Sequence, residues 1–176
     1  IQANQAGQRA NPDARVTLQE PGPQALLQQY ASSFQGVASA DFPRFGRCFW
    51  EVHDFGTSWT LQQSTVETTV DFAGREHILL WEEGRGALAS SSSARVQGLS
   101  AWKKAGVIVR QMGRLPATRY TGECFDNNVA AVVPNDEANV PAIWCYLSSP
   151  EYMETVRLVD SKLSVTNATL VKVPFD

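Results

Sequence analysis

The order of strand-like and helix-like segments most constrains the fold of this sequence. Short β-branched and apolar segments predict strands at Val66–Val70, His77–Trp81, Gly106–Met112, Phe125–Val133 and Thr169–Val173. No regular alternation of strand and helix is present, so a parallel sheet built from βαβ units is not expected. No internal repeat is visible in the sequence either. These observations predict an α+β fold with a mixed, mostly antiparallel sheet and a few helices.

A pair of helices is predicted near the carboxyl end. The first spans Pro141–Leu147, and the second follows Ser149 at Pro150, because a serine cap followed by proline is typical of a helix start. Helical spacing predicts that four apolar residues of the second helix face the core: Tyr152, Val156, Val159 and Leu163. A short helix is also expected within Ala25–Tyr30.

Composition along the chain predicts one domain preceded by a linker. Residues 1–23 are rich in Gln, Asn, Ala, Pro and Gly, so we interpret them as a linker or lead-in segment. Residues 24–176 are long enough for one packed core, and 43% of the whole chain is hydrophobic. The chain starts at Ile1 and not at Met, so we expect it to be a segment of a longer protein.

Several classes of protein are disfavoured by the sequence. No window approaches the roughly 18 apolar residues of a membrane span, and the polar start lacks a secretory signal, which predicts a soluble cytoplasmic protein. Three cysteines at wide spacing predict buried free thiols and not a disulfide framework or zinc ribbon. Two isolated histidines are too few for a zinc site. We therefore expect no metal and no cofactor in this segment.

Positive charge is concentrated in Ala101–Tyr120, which has five basic residues and no acidic one. Thr121–Asp176 has three basic and eight acidic residues, and the whole chain has a net charge of −3. Such a basic stretch suits a polyanion such as the DNA backbone. The alternative is a solvated edge strand on which Lys and Arg discourage aggregation. Strand alternation would present either Arg110 or Gln111 outward, but not both.

Four blocks of sequence carry a family resemblance. They are GVASADFPRFGRCFWEV, GREHILLWEEG, GVIVRQMGRLPATRYTGECFDNNVAAVVPND and AIWCYLSSPEYMETVRLVDSKLSVTNATLVKVPFD. Together they resemble the carboxy-terminal target-recognition domain of adenine-N6 DNA methyltransferases from restriction-modification and phage-defence systems, over about residues 24–176. The opening Gly36–Phe45 is also distantly similar to the recognition domains of type I restriction specificity subunits, although Ala40 stands where Gly is common.

The resemblance implies a division of labour between two domains. This domain would choose the DNA sequence and would not be an enzyme on its own. A separate methyltransferase domain, upstream in the same longer chain, would bind S-adenosylmethionine and carry the catalytic tetrapeptide. Double-stranded DNA and that catalytic domain would be the partners, in the bacterial cytoplasm and away from any membrane.

Residue types suggest how the DNA contacts would be divided. Arg pairs with guanine edges and Gln with adenine edges, so Arg110, Gln111 and Arg114 are predicted to read bases. Lys103, Lys104 and Arg119 are predicted to contact the backbone. The secondary candidates are Arg44, Arg47, Arg75 and Arg85. Their alternative is stacking on neighbouring aromatic residues or pairing with nearby glutamates.

Other readings of the sequence stay open. A protein-interaction or scaffold domain would need no DNA contact. A hydrolase using Cys48 or Cys124 with His53 or His77 is a further alternative, although no local sequence signature supports it. Trp102 and Trp144 are expected to serve packing and not base stacking, because large aromatic residues usually owe their place to burial.

Overall fold

The computed structural model describes residues 8–9 and 25–175, and the second range forms two four-stranded sheets with three α-helices. The predicted α+β class, with mostly antiparallel pairing, is therefore confirmed. The predicted lead-in segment, residues 1–23, lies outside the described residues except at 8–9. No helix in the described part of the chain is long and apolar enough to cross a membrane.

The two sheets differ in their connections. The first sheet contains, in spatial order, β1 (Ala31–Gln35), β8 (Val129–Pro134), β5 (Gly106–Arg110) and β6 (Ala117–Tyr120). The second contains, in spatial order, β2 (Gly46–Cys48), β4 (His77–Leu80), β3 (Trp59–Gln63) and β7 (Cys124–Phe125). All pairs are antiparallel except β3 with β7.

Helices are few and short. The α-helices are α1 (Phe42–Phe45), α2 (Val140–Leu147) and α3 (Pro150–Val159). The 3-10 helices of the same region are Leu27–Gln29, Phe49–Glu51, Glu82–Gly84, Leu99–Ala101, Glu137–Asn139 and Asn167–Val171. Helices α2 and α3 confirm the predicted carboxy-terminal helical pair.

A side-chain hydrogen bond marks the start of helix α3. The Ser149 hydroxyl accepts the backbone N–H of Tyr152 at 3.2 Å, which satisfies a donor that the first turn leaves free. Tyr152 and Val156 are buried as predicted. The prediction for Leu163 was wrong: the helix ends at Val159, so Leu163 lies beyond it with 70% of its surface exposed.

The first sheet is buried on both faces. One face packs against α2, α3 and the carboxyl segment, where Val107 and Val109 join a core cluster with Ile143. On the other face, Ile108 joins a second cluster that includes Phe125 of β7. The two sheets therefore meet through this second cluster, and β5 is an interior strand with little solvent contact.

Strand β6 lies at the edge of the first sheet, and the segment that precedes β4 covers this edge. The N–H of Val70 donates to the carbonyl of Ala117, and the N–H of Arg119 donates to the carbonyl of Asp71. The predicted strand Val66–Val70 was therefore wrong. Those residues form an irregular cover over the edge of β6, which otherwise would present unpaired backbone groups.

Two other segments have a secondary structure that differs from the predicted one. Thr169–Val173 was predicted as a strand, but Asn167–Val171 is a 3-10 helix because the Thr166 hydroxyl caps the N–H of Thr169. Ala25–Tyr30 contains only the 3-10 turn Leu27–Gln29 before β1 begins. β-branched residues in the first of these segments reflect burial and not an extended backbone.

Candidate nucleic-acid interface

The basic stretch Ala101–Tyr120 does not form one continuous surface. Lys103 and Lys104 precede β5, whereas Arg110 ends it, and the Cα atoms at the two ends of this strand are about 13 Å apart at a rise of about 3.3 Å per residue. The alternative of a solvated edge strand was wrong for β5, because that strand lies between β8 and β6. Two separate groups of cations result, one at each end of β5.

The first group lines a cleft, here named the lysine cleft. Its volume is about 410 Å³, and its walls are Ser32, Phe34, Lys103, Lys104, Ala105, Val133, Pro134, Asn135 and Glu137. Both lysines are exposed, and neither forms an ion pair with a residue that the structure describes. The cleft is therefore a place where positive charge is available to an anion.

The second group is here named the Arg110 end. It comprises six polar residues carried by three neighbouring segments, namely the end of β1, the end of β5 with the loop that follows it, and the turn before β8: Gln35, Arg110, Gln111, Arg114, Asn127 and Asn128. Arg110 donates to Glu67 at 3.1 Å, but the Glu67 side chain is 85% exposed. Such surface ion pairs contribute about 0–1 kcal/mol, so Arg110 exchanges this partner at little cost.

Gln111 is the less accessible of the two residues that the strand could present outward. It is only 8% exposed, and its amide exchanges hydrogen bonds with the amide of Gln35 at 3.0 and 3.2 Å. Its Nε2 also donates to the carbonyl of Val165 at 3.2 Å. Base contact by Gln111 would require breaking these bonds, whereas Gln35 is the partner that lies nearer to solvent.

The loop between β5 and β6, residues 111–116, is braced from a distant segment. The N–H of Gly113 donates to the carbonyl of Leu163 at 3.2 Å, and the guanidinium of Arg157 donates to the carbonyl of Gly113. Arg114 lies exposed in this loop and makes no side-chain bond to any described residue. The backbone that presents Arg114 is thus fixed, while its guanidinium stays available.

Two exposed asparagines, Asn127 and Asn128, extend the Arg110 end. The Asp126 carboxylate accepts the N–H of Asn128 at 2.7 Å, and the Ser64 hydroxyl bonds to the same carboxylate. This turn interrupts the predicted strand Phe125–Val133: Phe125 ends β7, and β8 begins only at Val129. Sequence reasoning missed these two asparagines and Gln35 as contact candidates, because their proximity to Arg110 arises from pairing between distant strands.

Arg119 and Arg75 lie at the covered edge of β6. The Arg119 guanidinium stacks between the rings of Phe72 and Trp144, at 5.7 and 5.6 Å from their centroids. Arg75 donates to the carbonyl of Arg119 at 2.7 Å and to Glu123 at 3.3 Å. Arg75 therefore stabilises this edge, while Arg119 keeps part of its guanidinium exposed.

The remaining secondary candidates have local partners in or near the second sheet. Arg44 lies over the ring of Phe45 at 4.8 Å, and Arg47 donates to the carbonyls of Pro43 and Gly46. Arg85 pairs with Glu83 on the surface. The stacking proposed as an alternative is thus present for Arg44 and the pairing for Arg85, whereas Arg47 bonds to backbone carbonyls instead. The DNA contacts of all three stay predictions.

The tryptophans differ in their surroundings. Trp102 packs against the second and third core clusters and lies 5.2 Å from Trp81, centroid to centroid, which confirms the expected packing role. Trp144 packs against the first cluster, and the Arg119 guanidinium lies over its ring. Trp144 is therefore a packing residue that also orients a cation.

The cysteines bear on the hydrolase alternative. Antiparallel pairing places Cys48 opposite His77, but partial burial and the nearby carboxylates of Glu51 and Glu76 raise the pKa of the Cys48 thiol. Cys124 is buried, and this burial raises its thiol pKa further from neutrality. Cys145 is exposed and Cys48 only half-buried, so the prediction of buried thiols was wrong for Cys145 and is met in full by Cys124 alone. Neither Cys48 nor Cys124 is in a setting that favours the nucleophilic thiolate.

Metal-binding groups are sparse in the described part of the chain. Within residues 8–9 and 25–175, no group of three or more His, Cys, Asp or Glu side chains is arranged to hold a metal ion.

No protein-family model matches the sequence, and no curated protein shows significant similarity to it.

Proposed function

We propose that this domain selects the DNA sequence on which a separate adenine-N6 methyltransferase domain acts. The observation that carries the proposal is the Arg110 end, where strand pairing places the backbone of Arg110 and Gln111 beside the turn that carries Asn127 and Asn128. Guanidinium and carboxamide groups offer the paired donors and acceptors that distinguish base edges in the major groove. Arg110 and Arg114 are assigned to base contact, with Asn127 and Asn128 as added candidates.

Rigidity of the Arg110 end supports the same role. The bracing of Gly113 by Leu163 and Arg157 holds the loop that carries Arg114. The reciprocal amide bonds between Gln35 and Gln111 hold the adjoining strand ends. A contact surface that is ordered before binding loses less conformational entropy on binding.

Phosphate contacts are assigned to residues outside the Arg110 end. Lys103 and Lys104 lie before the first residue of β5, at the opposite end of that strand from Arg110. This arrangement suits backbone contact at one end of the strand and base contact at the other. Arg119 is the third backbone candidate, and Arg44, Arg47, Arg75 and Arg85 remain secondary.

The proposed activity needs a partner domain. This domain would have no catalytic activity alone, and S-adenosylmethionine would bind in the methyltransferase domain. The two would form part of a restriction-modification or phage-defence system that acts on double-stranded DNA in the bacterial cytoplasm. Sequence preference of the methyltransferase would then depend on side chains of this chain.

The test is selection of a randomised duplex library by the chain joined to the methyltransferase domain, at two salt concentrations. Arg110→Ala/Arg114→Ala should relax selection at particular base pairs, each worth about 1–3 kcal/mol. Arg95→Ala/Lys162→Ala removes the same charge from residues outside both cationic groups and should keep the wild-type motif. Wild-type binding that enriches no motif and ignores salt would contradict the proposal.

A second candidate function is protein interaction. It is favoured by exposed aromatic residues beside the second sheet, where Phe49 and Trp50 lie 5.0 Å apart, centroid to centroid, and Trp50 is 64% exposed. Large exposed aromatic side chains often mark contact surfaces. Two results together would favour this candidate: Trp50→Ala abolishes association with another protein, and the wild type selects no DNA sequence.

A further inference from the structure

The lysine cleft combines two kinds of wall. Phe34, Val133 and Pro134 provide apolar surface from β1 and β8, while Lys103 and Lys104 provide charge from the segment before β5. Its volume of about 410 Å³ lies within the range of about 300–1,000 Å³ that is usual for small-molecule sites. A flat contact for DNA backbone needs no such concave, half-apolar shape.

An unusual backbone conformation brings both lysines into this cleft. Adjacent residues of an extended chain point to opposite sides, but Lys103 has a φ of +63°, in the left-handed region. That conformation is disfavoured for residues with a side chain and persists only where surrounding contacts fix it. Here the Lys103 N–H donates to the carbonyl of Gly122 at 2.8 Å.

The charge of the cleft favours an anion. Two lysines and one acidic residue, Glu137, are the charged residues that line it. The exposed hydroxyl of Ser32 adds a hydrogen-bond donor beside them. A phosphate group, which accepts several charge-assisted hydrogen bonds at once, matches two ammonium groups and a hydroxyl better than a single carboxylate does.

The apolar walls indicate what the phosphate is attached to. Phe34 packs against the second core cluster but keeps part of its surface exposed to the cleft. A nucleobase stacks favourably on an aromatic side chain, whichever base it is. The same cleft also contains two hydrogen-bond acceptors, the carboxylate of Glu137 and the Oδ1 of Asn135. The Nδ2 of Asn135 donates to the carbonyl of Gln29, which leaves its Oδ1 to accept.

We propose that the lysine cleft binds a nucleoside phosphate, with the phosphate at Lys103 and Lys104 and the base against Phe34. The nucleotide has two possible sources, a DNA strand or the free pool. Only the first source rests on the proposed function, because a DNA strand reaches the cleft when this domain binds DNA.

The test is calorimetric titration of the whole chain with dAMP, deoxyadenosine and inorganic phosphate. We expect dAMP to bind at least about tenfold more tightly than either part, because each part makes only half of the contacts. Lys103→Asn/Lys104→Gln should weaken dAMP binding by at least about tenfold. Asn tolerates the left-handed conformation, so this variant removes charge without adding strain. Lys162→Gln is the matched control and should bind dAMP as the wild type does.

A second variant and a competition experiment complete the test. Phe34→Leu should weaken dAMP binding but leave binding of inorganic phosphate unchanged. Displacement of dAMP by a single-stranded oligonucleotide identifies a DNA strand as the source, and lack of displacement identifies free nucleotide. Equal affinity for dAMP and inorganic phosphate, or dAMP binding that is indifferent to both lysines, would overturn the proposal. Since dAMP binding is measured without duplex DNA, its failure is separate from failure of motif selection.

Discussion

The backbone N–H of Lys103 donates to the carbonyl oxygen of Gly122 over 2.8 Å, and the two residues fix each other in rare conformations. φ is +63° at Lys103 and +103° at Gly122. A Cβ atom at position 122 would lie 2.7 Å from the Cα of Lys103. This contact joins the segment before β5 to the turn after β6, so the shape of the lysine cleft depends on a glycine outside it.

Gly122→Ala is expected to destabilise the protein by about 3 kcal/mol, because a strained φ adds to a clash with backbone atoms that cannot rotate away. Urea denaturation measures the change in the free energy of unfolding. Gly113→Ala is the matched control: its φ is +69°, but a Cβ there meets no atom within 4 Å. It should cost only about 1 kcal/mol, and equal costs at both positions would refute the clash.

Glu123 should make stability depend on pH in the acid range. Partial burial acts to raise its pKa, but hydrogen bonds from Thr121 and the backbone, with the charge of Arg75, outweigh burial and lower it below its ordinary value of 4.5. The ionised carboxylate is thus favoured in the folded state. Its stabilisation is present above pH 4.5 and is lost as the pH falls through the folded-state pKa.

Glu123→Gln is therefore expected to cost about 1 kcal/mol at neutral pH and progressively less at acid pH. Urea denaturation of both proteins across the acid range measures this difference. Glu67→Gln is the control, because Glu67 pairs with Arg110 while 85% exposed. Its cost should stay near zero at every pH. A cost at Glu123 that is constant with pH would contradict the assigned cause.

The three thiols should react with an aromatic disulfide reagent in the order Cys145, Cys48, Cys124. Cys145 is exposed, the raised pKa of Cys48 leaves little thiolate, and Cys124 is buried until the protein unfolds. Because the Cys48 pKa lies above the ordinary 9.0, its rate should keep rising beyond that pH. The hydrolase alternative would be favoured instead if Cys48 reacts fast at neutral pH and His77→Gln abolishes that fast reaction.

Gln35 and Gln111 should stabilise the fold jointly. A double-mutant cycle with Gln35→Leu and Gln111→Leu should give a coupling of about 1 kcal/mol, because each amide is the partner of the other. Gln111→Leu should cost more than Gln35→Leu, since it also leaves the buried carbonyl of Val165 without its donor. If Gln111 also reads bases directly, its replacement should weaken DNA binding as well.

Local signals in the sequence predicted local structure well. Ser149 and Pro150 mark the start of α3 because a cap and a fixed φ act within one turn. Leu163 was misplaced because spacing alone does not show where a helix ends. The β-branched segments Val66–Val70 and Thr169–Val173 resemble strands in composition, but their backbone bonds go to partners that the sequence does not reveal.

The candidate site was predictable in composition and not in arrangement. Counting charges identified Lys103, Lys104, Arg110 and Arg114, all of which keep exposed surface. The count did not reveal that a strand separates them into two groups. Nor did it reveal that Gln111 is held by Gln35, because that bond depends on how β1 and β5 each pair with β8.

The pairing of β1 with β8 also has a consequence for synthesis of the protein. Ala31 pairs with Pro134, so β1 leaves the ribosome about a hundred residues before the strand with which it pairs. Pairings between such distant segments close large loops and form slowly. Nascent chains that stop short of β8 expose an unpaired β1 and lack both cationic groups in their assembled form. Protection of that early strand, by chaperones or by slow translation, should therefore govern the yield of active domain.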